Sequence, residues 1–133
     1  MNLIVTLDDR NGMLFNHRRQ SRDRVLNDRI ATLCGGRLTV TAYTAALLEG
    51  LPVDLTISED PLAATKPGAW CFLEDRSPAP VLEKIEKLVV YRWNRVYPSD
   101  LKFDIDLSAM KCVSKTDFAG YSHEKLTEEV YIP

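Results

Sequence analysis

Short apolar runs that alternate with helix-forming segments are the feature that most limits how this 133-residue chain can fold. The run at 2–7 is almost wholly apolar, which is typical of a central strand buried on both faces. Comparable runs at 37–41, 53–57, 69–73 and 87–94 predict four more strands. Helical patterns separate the first three strands, and this alternation predicts a parallel α/β sheet.

Capping residues define the predicted helices. Ser21 is a good N-cap for a helix that ends near Leu33 at the Gly35–Gly36 pair. An Ala- and Leu-rich segment at 42–48 predicts a short helix, and Ser77–Pro78 predicts a helix that begins there and continues to about Glu86.

The last part of the chain lacks a helical pattern between its strands. Segments 110–115 and 125–132 predict a closing strand pair joined by a turn at 117–124, in which Ser122 and His123 stabilise the connection. We therefore expect one α/β domain over residues 1–133. Its mainly parallel, twisted central sheet carries helices on both faces and ends in an antiparallel C-terminal strand pair.

Composition indicates a globular protein, with 45% hydrophobic and 27% charged residues. The three cysteines are widely spaced and odd in number, as in a protein of a reducing compartment, and Cys112 is expected to be buried. No signal-peptide pattern or membrane-span pattern occurs, so we expect a cytoplasmic protein without membrane contact.

Arginine is concentrated near the N-terminus. Residues 1–37 contain seven arginines and four aspartates, a net charge of +3 in a chain whose total is −2. The stretch 17–24, HRRQSRDR, could contact several phosphates beside a helix N-terminus, which makes RNA binding one alternative function. A solvated helix and loop face is the other interpretation of the same charges.

The order of elements, together with some residues, resembles the dihydrofolate reductase-like superfamily along nearly the whole chain. In that family an acid on the first helix holds the pterin, and Asp23 is its nearest match here. Thr44 matches a family threonine on the next helix, and Asp100 and Phe103 match an acid and an aromatic after the fifth strand. The segments that carry the resemblance are LIVTLDDRNGM, QSRDRVL, TAYTAALL, VVYRWNRVYPSDLKF and FAGYSHEKLTEEVY.

Several departures from the family bear on its activity. Family reductases bind the NADPH pyrophosphate at a Gly–Gly pair after the fourth strand, where Glu74 and Asp75 stand here. Two carboxylates would repel a pyrophosphate, and their side chains would block close approach of the backbone. The resemblance therefore implies a divergent, shortened member without NADPH and without reductase activity. It leaves the chain closer to a binding protein than to an enzyme, with no catalytic residue assigned.

The stretch 91–95, YRWNR, is the best-placed candidate ligand site, because the family places its substrate floor there. If Arg92 points inward, it could pair with Asp23 or hold an anion bidentately. Strand alternation places Asn94 on the face of Arg92, and Trp93 on the other. A small heteroaromatic or phosphorylated molecule would suit such a pocket, whose predicted lining consists of Asp23, Arg92, Thr44, Trp93, Asn94, Arg19 and Arg22. The alternative is that the arginines cap the sheet edge while Trp93 lies in the core.

Other classes of function are less well supported by the sequence. No clustered histidine motif for a metallo-hydrolase occurs, and we expect no metal. An interaction module or homodimer remains the alternative to ligand binding, and it predicts a large flat apolar patch.

Overall fold

The computed structural model describes residues 1–133 and contains ten strands, three α-helices and two 3₁₀ segments. The strands are β1 (Asn2–Leu7), β2 (Gly12–Phe15), β3 (Arg18–Arg19), β4 (Arg37–Val40), β5 (Asp54–Ile57), β6 (Trp70–Phe72), β7 (Lys87–Arg92), β8 (Leu101–Lys102), β9 (Lys111–Phe118) and β10 (Leu126–Ile132). The helices are α1 (Arg24–Leu33), α2 (Ala42–Leu47) and α3 (Pro61–Ala64), and the 3₁₀ segments are Ala79–Lys84 and Leu107–Ala109.

Seven strands form the central sheet in the order β5-β4-β6-β1-β7-β10-β9. The first five in that order run parallel, and β10 and β9 pair antiparallel at one edge. This confirms the predicted sheet with its antiparallel C-terminal pair. Because the carboxyl ends of parallel strands lie at one edge, the loops after β1, β4, β6 and β7 meet there, where open α/β sheets usually bind ligands.

A second, three-stranded sheet in the order β3-β2-β8 lies beside this edge. The hairpin formed by β2 and β3 reverses direction at Asn16 and His17. Their positive φ angles of 51° and 60° suit a two-residue turn between twisted strands. The sequence indicated only a basic loop here. In the structure the hairpin fixes Arg18 and Arg19 on a strand.

The core has two halves, one on each face of the central sheet. On one face α1 contributes Leu26 and Ile30, which pack with Phe72, Val89 and Tyr91. On the other face Leu62 of α3 packs with strand residues such as Leu3, Val5, Leu88 and Val90. The alternation of β1 and β7 side chains between these halves follows from the period of two in a strand. Helices lie on both faces, as predicted.

Three local expectations were wrong. The predicted helix from Ser77–Pro78 to about Glu86 is a short 3₁₀ segment with a kink at Val81, because its apolar residues are too few to bury a full helical face. Residues 58–68, whose two prolines and two acids predicted a loop, contain the short helix α3. Cys112 is exposed, since β9 is an edge strand with hardly any covered side chain.

None of the helices has the length and apolar character needed to cross a lipid bilayer.

Candidate functional site

Asp23 is the best-anchored acid in the chain. It is the N-cap of α1, in place of the predicted Ser21, and its side chain is completely buried. Oδ1 accepts hydrogen bonds from the amides of Val25, Leu26 and Tyr121 at 2.9, 3.3 and 2.9 Å. A cap that also accepts from a distant turn fixes the start of the helix against the C-terminal hairpin.

The second carboxylate oxygen is equally occupied. Oδ2 accepts from the amide of Ser122 at 2.9 Å, from its hydroxyl at 3.2 Å, and from Nδ1 of His123 at 2.8 Å. Since a carboxylate offers about four lone-pair positions, these three donors and the three on Oδ1 saturate Asp23. It cannot accept further hydrogen bonds from a ligand without giving up some of these.

These contacts also set the charge of the group. Burial by itself raises the pKa of the Asp23 carboxyl, but hydrogen bonds from Tyr121, His123, Ser122 and Leu26 outweigh it and hold the pKa well below its ordinary value. Asp23 is therefore an anion at neutral pH.

His123 lies between the hairpin turn and the start of α1. Its ring is buried and packs on the Trp93 ring, with 5.0 Å between the centroids and 32° between the planes. Nδ1 contacts Asp23, while Nε2 lies 3.0 Å from the Ser21 hydroxyl and 3.4 Å from the Tyr97 hydroxyl. The role of Ser122 and His123 in stabilising the turn was predicted, whereas their link to Asp23 and Ser21 was not.

Arg92 does not pair with Asp23, because the two lie on opposite faces of the sheet. Arg92 shares the face of Val90, and its Nε lies 3.2 Å from Glu129. Nη1 donates to the Asp8 carbonyl at 3.1 Å and to Oδ1 of Asn11 at 2.5 Å. Strand alternation places the guanidinium away from α1.

The other residues of the YRWNR stretch have structural partners. Trp93 is buried in the core beside α1, which agrees with the alternative interpretation in which Trp93 is a core residue. Asn94 lies beyond the end of β7 with a φ of 60°, so strand alternation does not extend to it. Its side-chain amide donates to the Lys125 carbonyl and to the Thr127 hydroxyl at 3.1 and 3.0 Å.

A second buried cluster lies just after β6, where the resemblance places the cofactor phosphates. The Glu74 side chain is only 3% exposed and receives a bidentate contact from Arg19, at 2.9 and 3.0 Å. The Thr44 hydroxyl donates to the same carboxylate at 2.7 Å. Partial burial alone lowers the pKa of Arg19, but the hydrogen bonds and charge of Glu74 outweigh this and raise it, so Arg19 stays a cation. The Glu74 carboxylate and the Arg19 guanidinium together occupy the space just after β6, at the carboxyl edge of the sheet.

An open cleft lies between α1, the end of α2 and the C-terminal hairpin, with a volume of about 580 Å³. Arg22 and Arg24 line it, are exposed and form no salt bridge, and Arg24 lies 4.5 Å from the centroid of the Tyr121 ring. Asp28 and Glu49 line the same cleft. The cleft therefore offers two guanidinium groups without a salt bridge, one exposed aromatic ring and three acids, of which Asp23 is already saturated.

The sequence-predicted site residues thus lie in three places. Asp23 and Arg22 border the cleft, Thr44 and Arg19 belong to the Glu74 cluster, and Arg92 lies across the sheet. Sequence reasoning did not find the contact of Ser21 with His123, since 102 residues separate them and no local pattern connects them. No three histidine, cysteine or acidic side chains come together as metal ligands.

Comparison of the sequence with known protein families and with curated proteins finds no match. Comparison with solved structures finds dihydrofolate reductase from Enterococcus faecalis, complexed with NADP(H) and RAB-propyl, with a TM-score of 0.69. The match covers 98% of this chain and 94% of that chain at 12% sequence identity. At this identity the similarity concerns the fold alone. The chain has the dihydrofolate reductase-like fold that its sequence predicted.

Proposed function

We propose that this chain binds a small anionic, heteroaromatic ligand in the cleft between α1 and α2, and that it is not an NADPH-dependent reductase. The observation that carries the binding proposal is that Arg22 and Arg24 form no salt bridge and line the same cleft as the exposed Tyr121 ring, which Arg24 contacts. Guanidinium groups bind phosphate or carboxylate through two parallel hydrogen bonds, and an aromatic ring offers a stacking surface.

The Glu74 cluster supports the loss of reductase activity. A pyrophosphate placed after β6 would meet a buried carboxylate that Arg19 and Thr44 already hold. Opening this space would require breaking a bidentate ion pair and leaving Glu74 without its partners. Removing one member of a buried ion pair typically costs about 3–5 kcal/mol.

Two features favour ligand binding over the alternative functions. The arginines of the 17–24 segment do not share one surface: Arg18 and Arg19 border a hollow beside Tyr97, whereas Arg22 and Arg24 border the cleft. The exposed large apolar side chains belong to separate elements and include Phe15, Ile57, Leu82, Val96 and Val113. A continuous phosphate-binding surface and a flat apolar interface therefore both have less support than the cleft.

The test is a binding panel of NADPH, folic acid, AMP, GMP and a short single-stranded RNA, measured by thermal shift and then by calorimetry. A mononucleotide or folic acid at about a hundred times its Kd should add about 2.7 kcal/mol of stability and raise Tm by several degrees. Arg22→Ala and Arg24→Ala should each weaken binding about tenfold, since each removes a charge-assisted hydrogen bond. Arg37→Ala, an exposed arginine outside the cleft, is the matched control and should leave binding unchanged.

Each other outcome counts against part of the proposal. Stabilisation by NADPH would contradict the loss of the cofactor site. RNA binding that falls steeply with salt would favour the nucleic-acid alternative. No response to any probe, with a dimer in solution, would favour the interaction module.

A further inference from the structure

Ser21, His123 and Asp23 form a continuous hydrogen-bonded chain at the start of α1. Oδ2 of Asp23 lies 2.8 Å from Nδ1 of His123, and Nε2 of the same ring lies 3.0 Å from the Ser21 hydroxyl. The Asp23 side chain is buried and that of His123 nearly so, whereas Ser21 is partly exposed. The buried acid, the nearly buried histidine and the partly exposed serine are therefore arranged in order from the interior to the surface.

The partners of Asp23 determine which nitrogen of His123 carries the proton. A carboxylate only accepts hydrogen bonds, so Nδ1 must donate to Asp23. In the neutral imidazole Nε2 is then an acceptor, and the Ser21 hydroxyl donates to it. Ser21 forms no other side-chain hydrogen bond. The Trp93 ring packed on the imidazole and the short contact with Asp23 fix its orientation.

We propose that Ser21 is the nucleophile and His123 the general base of an ester-hydrolysing site, with Asp23 as the positioning residue that fixes the imidazole. This arrangement of roles, with a serine, a base and a group that orients the base, is recognised by geometry on unrelated folds. The inference concerns an activity beyond ligand binding and does not depend on which ligand the cleft takes.

The reaction has two steps. Ser21 Oγ forms a bond to the ester carbonyl carbon while its proton moves to Nε2 of His123. The bond from that carbon to the alkoxy oxygen breaks, and His123 returns the proton to the leaving alcohol. Water then adds to the acyl carbon as Nε2 takes one of its protons, and the bond to Ser21 Oγ breaks and regenerates the hydroxyl. The products are an alcohol and a carboxylic acid, and no other reactant is needed.

The residues near Ser21 indicate which esters fit. The exposed guanidinium of Arg22, on the adjacent residue, forms no salt bridge and can approach negative charge on the substrate. Small esters of an anionic acid are therefore the substrate class that Arg22 favours.

A fluorophosphonate probe tests the nucleophile directly, because Ser21 Oγ would displace fluoride and form a stable phosphonyl adduct. We expect one adduct per chain, on the peptide that contains Ser21 when mapped by mass spectrometry, and no adduct in Ser21→Ala. Ser58→Ala is the matched control, since Ser58 is also partly exposed but lies at the end of β5, across the sheet from His123. It should be labelled at the rate of the unchanged protein.

A second measurement separates catalysis from a structural role of the chain of hydrogen bonds. In Asp23→Asn the side-chain amide can donate to Nδ1 of His123, which moves the imidazole proton to Nε2, so that Nε2 can no longer accept the proton of Ser21. Labelling of Ser21 should then slow by about 10³–10⁴-fold in folded protein. His123→Gln should slow it similarly, with folding of both variants checked by circular dichroism. Ser21→Ala, a change at the surface, gives a readout even if the other two variants do not fold. Absence of an adduct on Ser21 at saturating probe, or equal labelling of Ser21→Ala, would overturn the proposal.

Discussion

The Asp23→Ala substitution should destabilise the fold far more than loss of a helix cap alone. Asp23 caps α1 and also holds the turn at Tyr121, Ser122 and His123. Its removal would release the start of a helix and the tip of the C-terminal hairpin together.

The magnitude follows from the partners left behind. Loss of an N-cap costs about 1 kcal/mol. The Nδ1–H group of the buried His123 would lose its acceptor, which costs about 1–3 kcal/mol, whereas the amides of Tyr121 and Ser122 lie on exposed residues and can be rehydrated. Together these two losses give an expected destabilisation of about 2–4 kcal/mol.

Urea denaturation monitored by circular dichroism measures this loss, with Asp60→Ala as the matched control. Asp60 also caps a helix, α3, but it is exposed and its carboxylate accepts only from Ala63, at 3.3 Å. Its loss should cost about 1 kcal/mol or less. If the two substitutions lower the free energy of unfolding equally, the contacts of Asp23 with the hairpin do not contribute to stability and the reasoning is refuted.

The pH dependence provides an independent check. The folded-state pKa of Asp23 lies below its unfolded value of about 3.9, so its contribution is fully present above that pH. It is lost as the pH falls through the folded-state pKa. The stability difference between the unchanged protein and Asp23→Ala should accordingly be constant near neutral pH and shrink below about pH 4.

Two further predictions concern packing and thiol chemistry. A Cβ atom on Gly120 would lie 2.6 Å from Oδ2 of Asp23. Gly120→Ala should therefore lower the free energy of unfolding by about 1–3 kcal/mol in the same denaturation assay. An unchanged stability would show that the turn can move away from Asp23. Only the exposed Cys112 should react quickly with Ellman's reagent in the native state, because Cys34 and Cys71 are buried. Burial also raises the pKa of the Cys71 thiol to about 11. Fast reaction of three thiols without denaturant would contradict the described core.

The candidate site was only partly predictable from the sequence. Asp23, Arg92 and Thr44 were identified by their place in the order of elements, but that order does not determine which face of the sheet each side chain occupies. Arg92 shares the face of Val90, so it pairs with Glu129. Glu74 was predicted to oppose a cofactor phosphate by its charge and by the bulk of its side chain. Its partner Arg19 comes from the small sheet, whose strands of two to four residues left no pattern to detect.

The sequence by itself determined the α/β class, the order along the chain of the seven strands of the central sheet, and the presence of helices on both of its faces. These features depend on hydrophobic periodicity and capping within a few residues, which act the same way wherever the segment lies. Tertiary structure alone decided that Ser21, Asp23 and His123 meet, and that Glu74 receives Arg19. Polar contacts over such separations depend on the placement of whole elements to within an ångström, and that placement comes from packing the complete sheet.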